Sequence, residues 1–161
     1  MNVTEFKHSH SAHCESGVMV SLLRHYGLNL SEPMIFGLSS ALTFAYLPFI
    51  KIGGMPLVAY RNLPKSIIKN IQKNLKVKMK LETFSNQEKG ELRLDELLSE
   101  GKVVGAQTSV YWLPYFPPEM RFHFNAHNLV VYGKESENYF ISDPVFEHSV
   151  EADKASLSKA R

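Results

Sequence analysis

The spacing of apolar residues changes along this chain, from helical near the N-terminus to strand-like near the C-terminus. That order narrows the folds open to it. Val18, Leu22, Leu23 and Tyr26 recur at helical spacing from Cys14 onward, and Gly27 is a natural stop. Ser31 offers an N-cap, with Glu32 and Pro33 in the first turn, so a second apolar helix is expected to run towards Tyr46 and end before Pro48. Ile52-Gly53-Gly54-Met55-Pro56 reads as a turn-rich loop, and Leu57 to Arg61 as a short strand. Pro64 starts a third helix, with Ile67, Ile68 and Ile71 on one face and lysines on the other.

Val77, Met79 and Leu81 alternate with Lys78, Lys80 and Glu82, the period of a half-exposed strand. Leu92 to Leu98 reads as a short amphipathic helix closed by Gly101. Val103 to Trp112 reads as a strand, broken by Pro114, Pro117 and Pro118. Two further strands are expected at about Phe124–Tyr132 and Tyr139–Ser142, joined by a polar, hairpin-like connection from Gly133 to Asn138. Helices first and mostly antiparallel strands after them make an α+β arrangement. Lys154 to Arg161 looks like the start of a helix without a closing cap, which suggests a cut chain or a longer parent.

At 161 residues, 44% of them hydrophobic and 21% charged, one domain spanning residues 1–161 with a real core is expected. A formal charge of +2 is too small to imply nucleic acid. The first residues hold no apolar signal core. The most apolar stretch, Met34 to Ile52, is interrupted by Gly37, Pro48 and small polar residues and is not a membrane span. A soluble, cytoplasmic protein is expected.

The one cysteine, Cys14, excludes an internal disulfide framework and a multi-cysteine zinc site. It stands at the mouth of the first helix, where unpaired N–H groups and the helix dipole favour a thiolate. His127 opens an apolar strand and Asp143 closes the next, sixteen positions on, so a hairpin would bring both to one end of a sheet. Nucleophile, base and orienting acid are the parts of a triad, and their order, Cys, His, Asp, is that of papain-like enzymes. The oxyanion of acyl transfer needs donors, for which the Cys14 amide is one candidate. Papain-like sites commonly place a glutamine about six residues before the nucleophile. Here that position holds His8, a candidate second donor.

Other readings of these residues stand beside this one. Cys14 can be a small buried hydrophobe, His127 a satisfied core histidine, Asp143-Pro144 a turn former, and Glu15 a first-turn acid favoured by the helix dipole. His8, His10, His13 and Cys14 can ligate zinc or a transition metal, with His123 or His127 as a distant ligand. Phe36, Phe44, Tyr46 and Phe49, with Met34 and Leu42, are expected in the core, or else lining an acyl-chain pocket. The aromatic run from Tyr111 to Phe116 is a candidate cleft wall. Lys65, Lys69, Lys73 and Lys76 make a solvated face that can also meet an acidic carrier.

A family resemblance rests on particular runs. These are Phe6-x-His8, His13-Cys14-Glu15-Ser16, Gly27-Leu28-x-Leu30-Ser31-Glu32, Met34 to Leu38 with Phe44-Ala45-Tyr46, His127 to Gly133, and Ile141 to Pro144. With them the chain resembles the N-terminal domain of the butirosin biosynthesis protein H family, from about residue 6 to 161. The resemblance implies a papain-like fold used for acyl transfer, with Cys14, His127 and Asp143 as nucleophile, base and orienting acid. The implied donor is a thioester on the phosphopantetheine of an acyl-carrier protein, the acceptor a small amine or hydroxyl compound, and no other cofactor or metal is called for. Secondary-metabolite biosynthesis is the implied setting. Family members usually carry a second, C-terminal domain, and this chain is expected to end where that domain would begin. A cysteine peptidase or amidase on the same fold is the alternative, as is a non-catalytic binding or metal-holding domain.

Overall fold

The computed structural model describes residues 2–52 and 54–161. Its strands are β1 (Asn2–Val3), β2 (Leu42–Ile52), β3 (Met55–Arg61), β4 (Val104–Thr108), β5 (His127–Glu135), β6 (Asn138–Ser142) and β7 (Val150–Asp153). Its helices are α1 (Cys14–His25), α2 (Glu32–Leu38), α3 (Ser66–Asn74), α4 (Gln87–Ser99) and α5 (Lys154–Ala160). The main sheet is antiparallel. β5 pairs β6 along one edge and β4 and β1 along the other, and β7 lies outside β6.

β5 is apolar at consecutive positions because both faces of the sheet are covered. Leu129 and Val131 pack with Leu94 and Leu98 of α4 and Leu157 of α5. Val130, pointing the other way, packs on Val18 of α1. A further core joins Met19 and Leu23 of α1 to Ile35 of α2 and Ile67 and Ile71 of α3. The expected stop at Gly27 is a Schellman cap. Gly27 adopts φ 90°, its N–H bonds Arg24 O, and Leu28 N–H bonds Leu23 O.

Several expectations need correction. The helix expected to reach Tyr46 stops at Leu38, because Ser40 takes a left-handed φ of 50°. Ser40 N–H then bonds Gly37 O and Ala41 N–H bonds Phe36 O, so a serine does the work usually left to glycine. The chain continues as β2, where Thr43, Phe44, Tyr46 and Ile50 suit an extended backbone. β2 and β3 form a separate two-stranded arm. The aromatics expected in the core are therefore outside it, with Phe44 75% and Phe49 79% exposed. Phe36 alone of that set packs against buried residues.

Val77 to Glu82 keeps its alternation, since Val77 and Met79 pack inward, but it pairs with no strand among the described residues. The strand expected to reach Trp112 ends at Thr108 and gives way to a 3-10 turn over Val110–Trp112. β5 runs on through Glu135, so its hairpin turn is only Ser136-Glu137, with Ser136 at φ 53°. Of the loop expected at residues 52–56, Gly53 lies outside the described residues, and Gly54 turns the arm at φ 84°.

Candidate active site

The turn into α1 is held by two glutamates. His13 is the N-cap, extended at φ −142°, and its ring Nδ1 accepts from Ser16 N–H at 3.4 Å. The Glu32 carboxylate accepts from the amides of Ala12 and His13, each at 3.0 Å, and from Ser16 Oγ at 2.6 Å. Glu15, buried, reaches across to α3 and accepts from Lys65 N–H and Ile68 N–H, both at 3.1 Å. It caps a helix other than its own, and so ties α1 to α3. A Cβ on Gly17 would lie 2.6 Å from both Pro144 and Ser11, so only glycine allows α1 to approach the turn after β6 this closely. Ser11 N–H bonds Pro144 O at 2.8 Å in the same contact.

That approach brings the sixteen-residue pair to the cysteine. His127 is the first residue of β5 and Asp143 follows the last residue of β6, so the hairpin returns them to one sheet end. His127 Nε2 lies 2.7 Å from Asp143 Oδ2. With the carboxylate as acceptor, Nε2 carries the proton, and Nδ1 is left for Cys14. Phe116 meets the imidazole edge-on, at 5.4 Å and 89°. Asp143, fully buried, also accepts from Tyr115 O–H at 2.9 Å and from Val145 N–H at 3.2 Å.

Burial alone would push the His127 pKa down. Hydrogen bonds with Asp143 and Cys14, and their negative charges, outweigh it and raise His127 to about 9. Burial alone would push the Cys14 thiol up, but the hydrogen bond and charge of His127, with the Asn128 amide, lower it. Both shifts favour the thiolate–imidazolium form of the pair over the neutral one. Cys14 occupies the first position of α1, so its N–H has no acceptor within the helix and is free for an oxyanion.

The structure brings Cys14, His127 and Asp143 together, and directs His8 elsewhere. His8 Nε2 donates to Phe146 O at 3.0 Å, and Nδ1 meets Ser142 Oγ at 2.7 Å. Both ring nitrogens are engaged in bracing the turn on either side of Asp143. The histidine-rich run does not converge either. His10 faces Glu147 at 3.7 Å and His13 faces Ser16, and among the described residues no three His, Cys, Asp or Glu side chains gather as a metal-holding group.

Asn128 and Arg61 escaped the sequence reading, and Tyr115 was foreseen only as part of a cleft wall. Asn128 places its Nδ2 4.0 Å from Cys14 Sγ, Tyr115 steadies Asp143, and Arg61 enters the cleft. Asn128 had a local signal, since it is a polar residue inside a buried apolar strand. Arg61 had none, because only the tertiary fold carries it to the site. The cleft over Cys14 has a volume of about 100 Å³, with His13, Arg61, Ile67 and Phe124 among its walls. The aromatic run contributes through Tyr115 and Phe116 behind the histidine, while Phe124 and Ala126 form the wall itself. Among the described residues no helix is long and apolar enough to cross a membrane.

Comparison with known proteins bears on the family and the fold. Residues 13–144 match the family described as butirosin biosynthesis protein H, N-terminal. No curated protein sequence matches the chain. A Bacillus anthracis protein described as a C39-like peptidase superposes with a TM-score of 0.62 at 14% identity, over 98% of this chain and 86% of that one. The peptidase domain of Streptococcus ComA, a bifunctional ABC transporter involved in quorum sensing, gives 0.47 at 15% identity, over 97% and 92%. The fold is the papain-like α+β arrangement, and the chain belongs to the butirosin biosynthesis protein H N-terminal family.

Proposed function

We propose that this family member is an acyltransferase that moves an acyl group from a carrier-protein thioester to an amine or hydroxyl acceptor through an acyl-Cys14 intermediate. The observation that carries the reading is the ordered contact of Cys14, His127 and Asp143, with Nε2 of the imidazole committed to the carboxylate. The thiolate attacks the thioester carbonyl, and the Cys14 amide N–H faces the developing oxyanion. Collapse breaks the carbonyl–sulfur bond of the donor, and the departing pantetheine sulfur takes the imidazolium proton. The neutral imidazole then removes a proton from the acceptor as it attacks acyl-Cys14, and expulsion of the Cys14 thiolate restores the ion pair. The reaction needs no cofactor beyond the phosphopantetheine that carries the donor. Asp143 keeps the imidazole in the tautomer and orientation both steps require.

Lys65, Lys69, Lys73 and Lys76 are exposed on α3 and at its two ends, and its first residues Ser66 and Ile67 wall the cleft. This face suits an acidic carrier protein. We assign the activity to cytoplasmic assembly of a secondary metabolite. Peptide hydrolysis is the second reading, favoured by the likeness of fold to the C39-like peptidase. Incubation with acyl-carrier thioesters and amine acceptors, beside a panel of peptides, separates the two. Transfer dependent on Cys14 is expected. Peptide cleavage with no acyl transfer would replace the acyltransferase with a peptidase.

A further inference from the structure

Arg61 ends the arm strand β3, opposite Leu42, and lines the cleft that holds Cys14. It is half-buried, yet among the described residues its guanidinium makes no ion pair and no hydrogen bond. Two acids at the start of the Cys14 helix and beside its lead-in are already engaged. Glu15 is taken up by the first amides of α3, and Glu32 by the turn before Cys14 and by Ser16. The charge of Arg61 is felt inside the site, where after burial it is the main influence lowering the His13 pKa. The side chain stands at the cleft wall with no anion beside it among the described residues, and its planar fork of donors matches a carboxylate two bonds at a time.

We propose that Arg61 binds a carboxylate carried on the acyl group, so that the preferred donor is a half-thioester of a dicarboxylic or amino-dicarboxylic acid. This rests on the acyltransferase reading. The phosphate of phosphopantetheine is the other anion a donor brings. It stands at the far end of an extended arm from the thioester sulfur, whereas Arg61 shares one small cleft with the thiol, so the acyl carboxylate is the anion within reach.

The probes are succinyl-, glutaryl- and adipyl-pantetheine, each beside its uncharged methyl ester, and the same compounds on 4′-phosphopantetheine. The rate of acyl-Cys14 formation is read by intact mass. One free acid of the series is expected to acylate Cys14 at least about tenfold faster than its methyl ester, with or without the phosphate. Arg61→Gln should bring the free acid down to the rate of its methyl ester measured in the same variant, and Arg61→Lys should retain part of the preference.

Equal rates for acids and esters in the native protein would overturn the proposal and leave the acyl-enzyme reading standing. A preference that follows the phosphate and ignores the acyl group would overturn it in favour of the arm. An equal slowing of acid and ester by Arg61→Gln would instead assign Arg61 to the reaction itself and overturn substrate selection. Failure of every thioester to acylate Cys14 would remove the acyltransferase reading, and this proposal with it.

Discussion

Replacing Asp143 by asparagine should weaken the ionisation of Cys14. The side chain keeps its size, and its oxygen can still accept from His127 Nε2, so the imidazole stays oriented while the negative charge is lost. His127 stands at about 9 against an ordinary 6.5, which corresponds to about 3 kcal/mol favouring the imidazolium. After the opposing effect of burial, the bond from Asp143 is the largest contribution to that rise, ahead of Cys14. If it supplies half, its loss removes roughly 1.5 kcal/mol, about tenfold in the population of the ion pair.

Stability against pH is a poor readout of this change. His127, raised, adds stability that is complete below pH 6.5 and lost as pH rises through about 9. Cys14, lowered, adds stability that is complete above 9.0 and lost as pH falls through its depressed value. In the window they share, the two slopes oppose each other, because the proton that leaves the thiol is held by the imidazole. Alkylation by iodoacetamide reads the thiolate directly. The native protein should react well below pH 8. In Asp143→Asn the rate at pH 6 should fall at least about tenfold and the inflection should move up by about one unit. An unchanged profile would refute the role given to Asp143.

Other substitutions test how the site is held. Gly17→Ala places a Cβ against Pro144 and Ser11, and should cost about 1–3 kcal/mol in thermal or urea unfolding while slowing Cys14 alkylation, since α1 must back away from Asp143. Glu15→Ala removes the acceptor for two amides of α3 and should cost about 1–3 kcal/mol by urea unfolding. Tyr115→Phe deletes one hydroxyl bond to Asp143; a loss of about 1 kcal/mol in the same assay, with the alkylation profile kept, is expected.

The candidate site was legible because its signals are local. Cys14 before a helical run that Gly27 ends, and two chemistry-bearing residues at the matching ends of a hairpin, need no knowledge of distant packing. The arm was not legible. Phe36, Phe44, Tyr46 and Phe49 fit helical spacing as a set, and the break depends on Ser40 adopting a conformation that glycine usually marks. The alternation at Val77 to Glu82 encodes which side chains face inward but not whether another strand lies alongside. Glu15 read as a first-turn acid of α1, and its capping of α3 became visible only when residues fifty positions away were in place. Arg61 likewise carried no mark of its own, since a charged residue at a strand end is ordinary until the cleft closes beside it.

The most direct test of the account is the intact mass of the protein after mixing with an acyl-carrier thioester and no acceptor. An adduct equal to the acyl group, confined to Cys14, absent from Cys14→Ser and discharged on adding an amine to give the acylated amine, is the expected result. Transfer to the amine at the native rate by Cys14→Ser, with no adduct on the native protein, would contradict it.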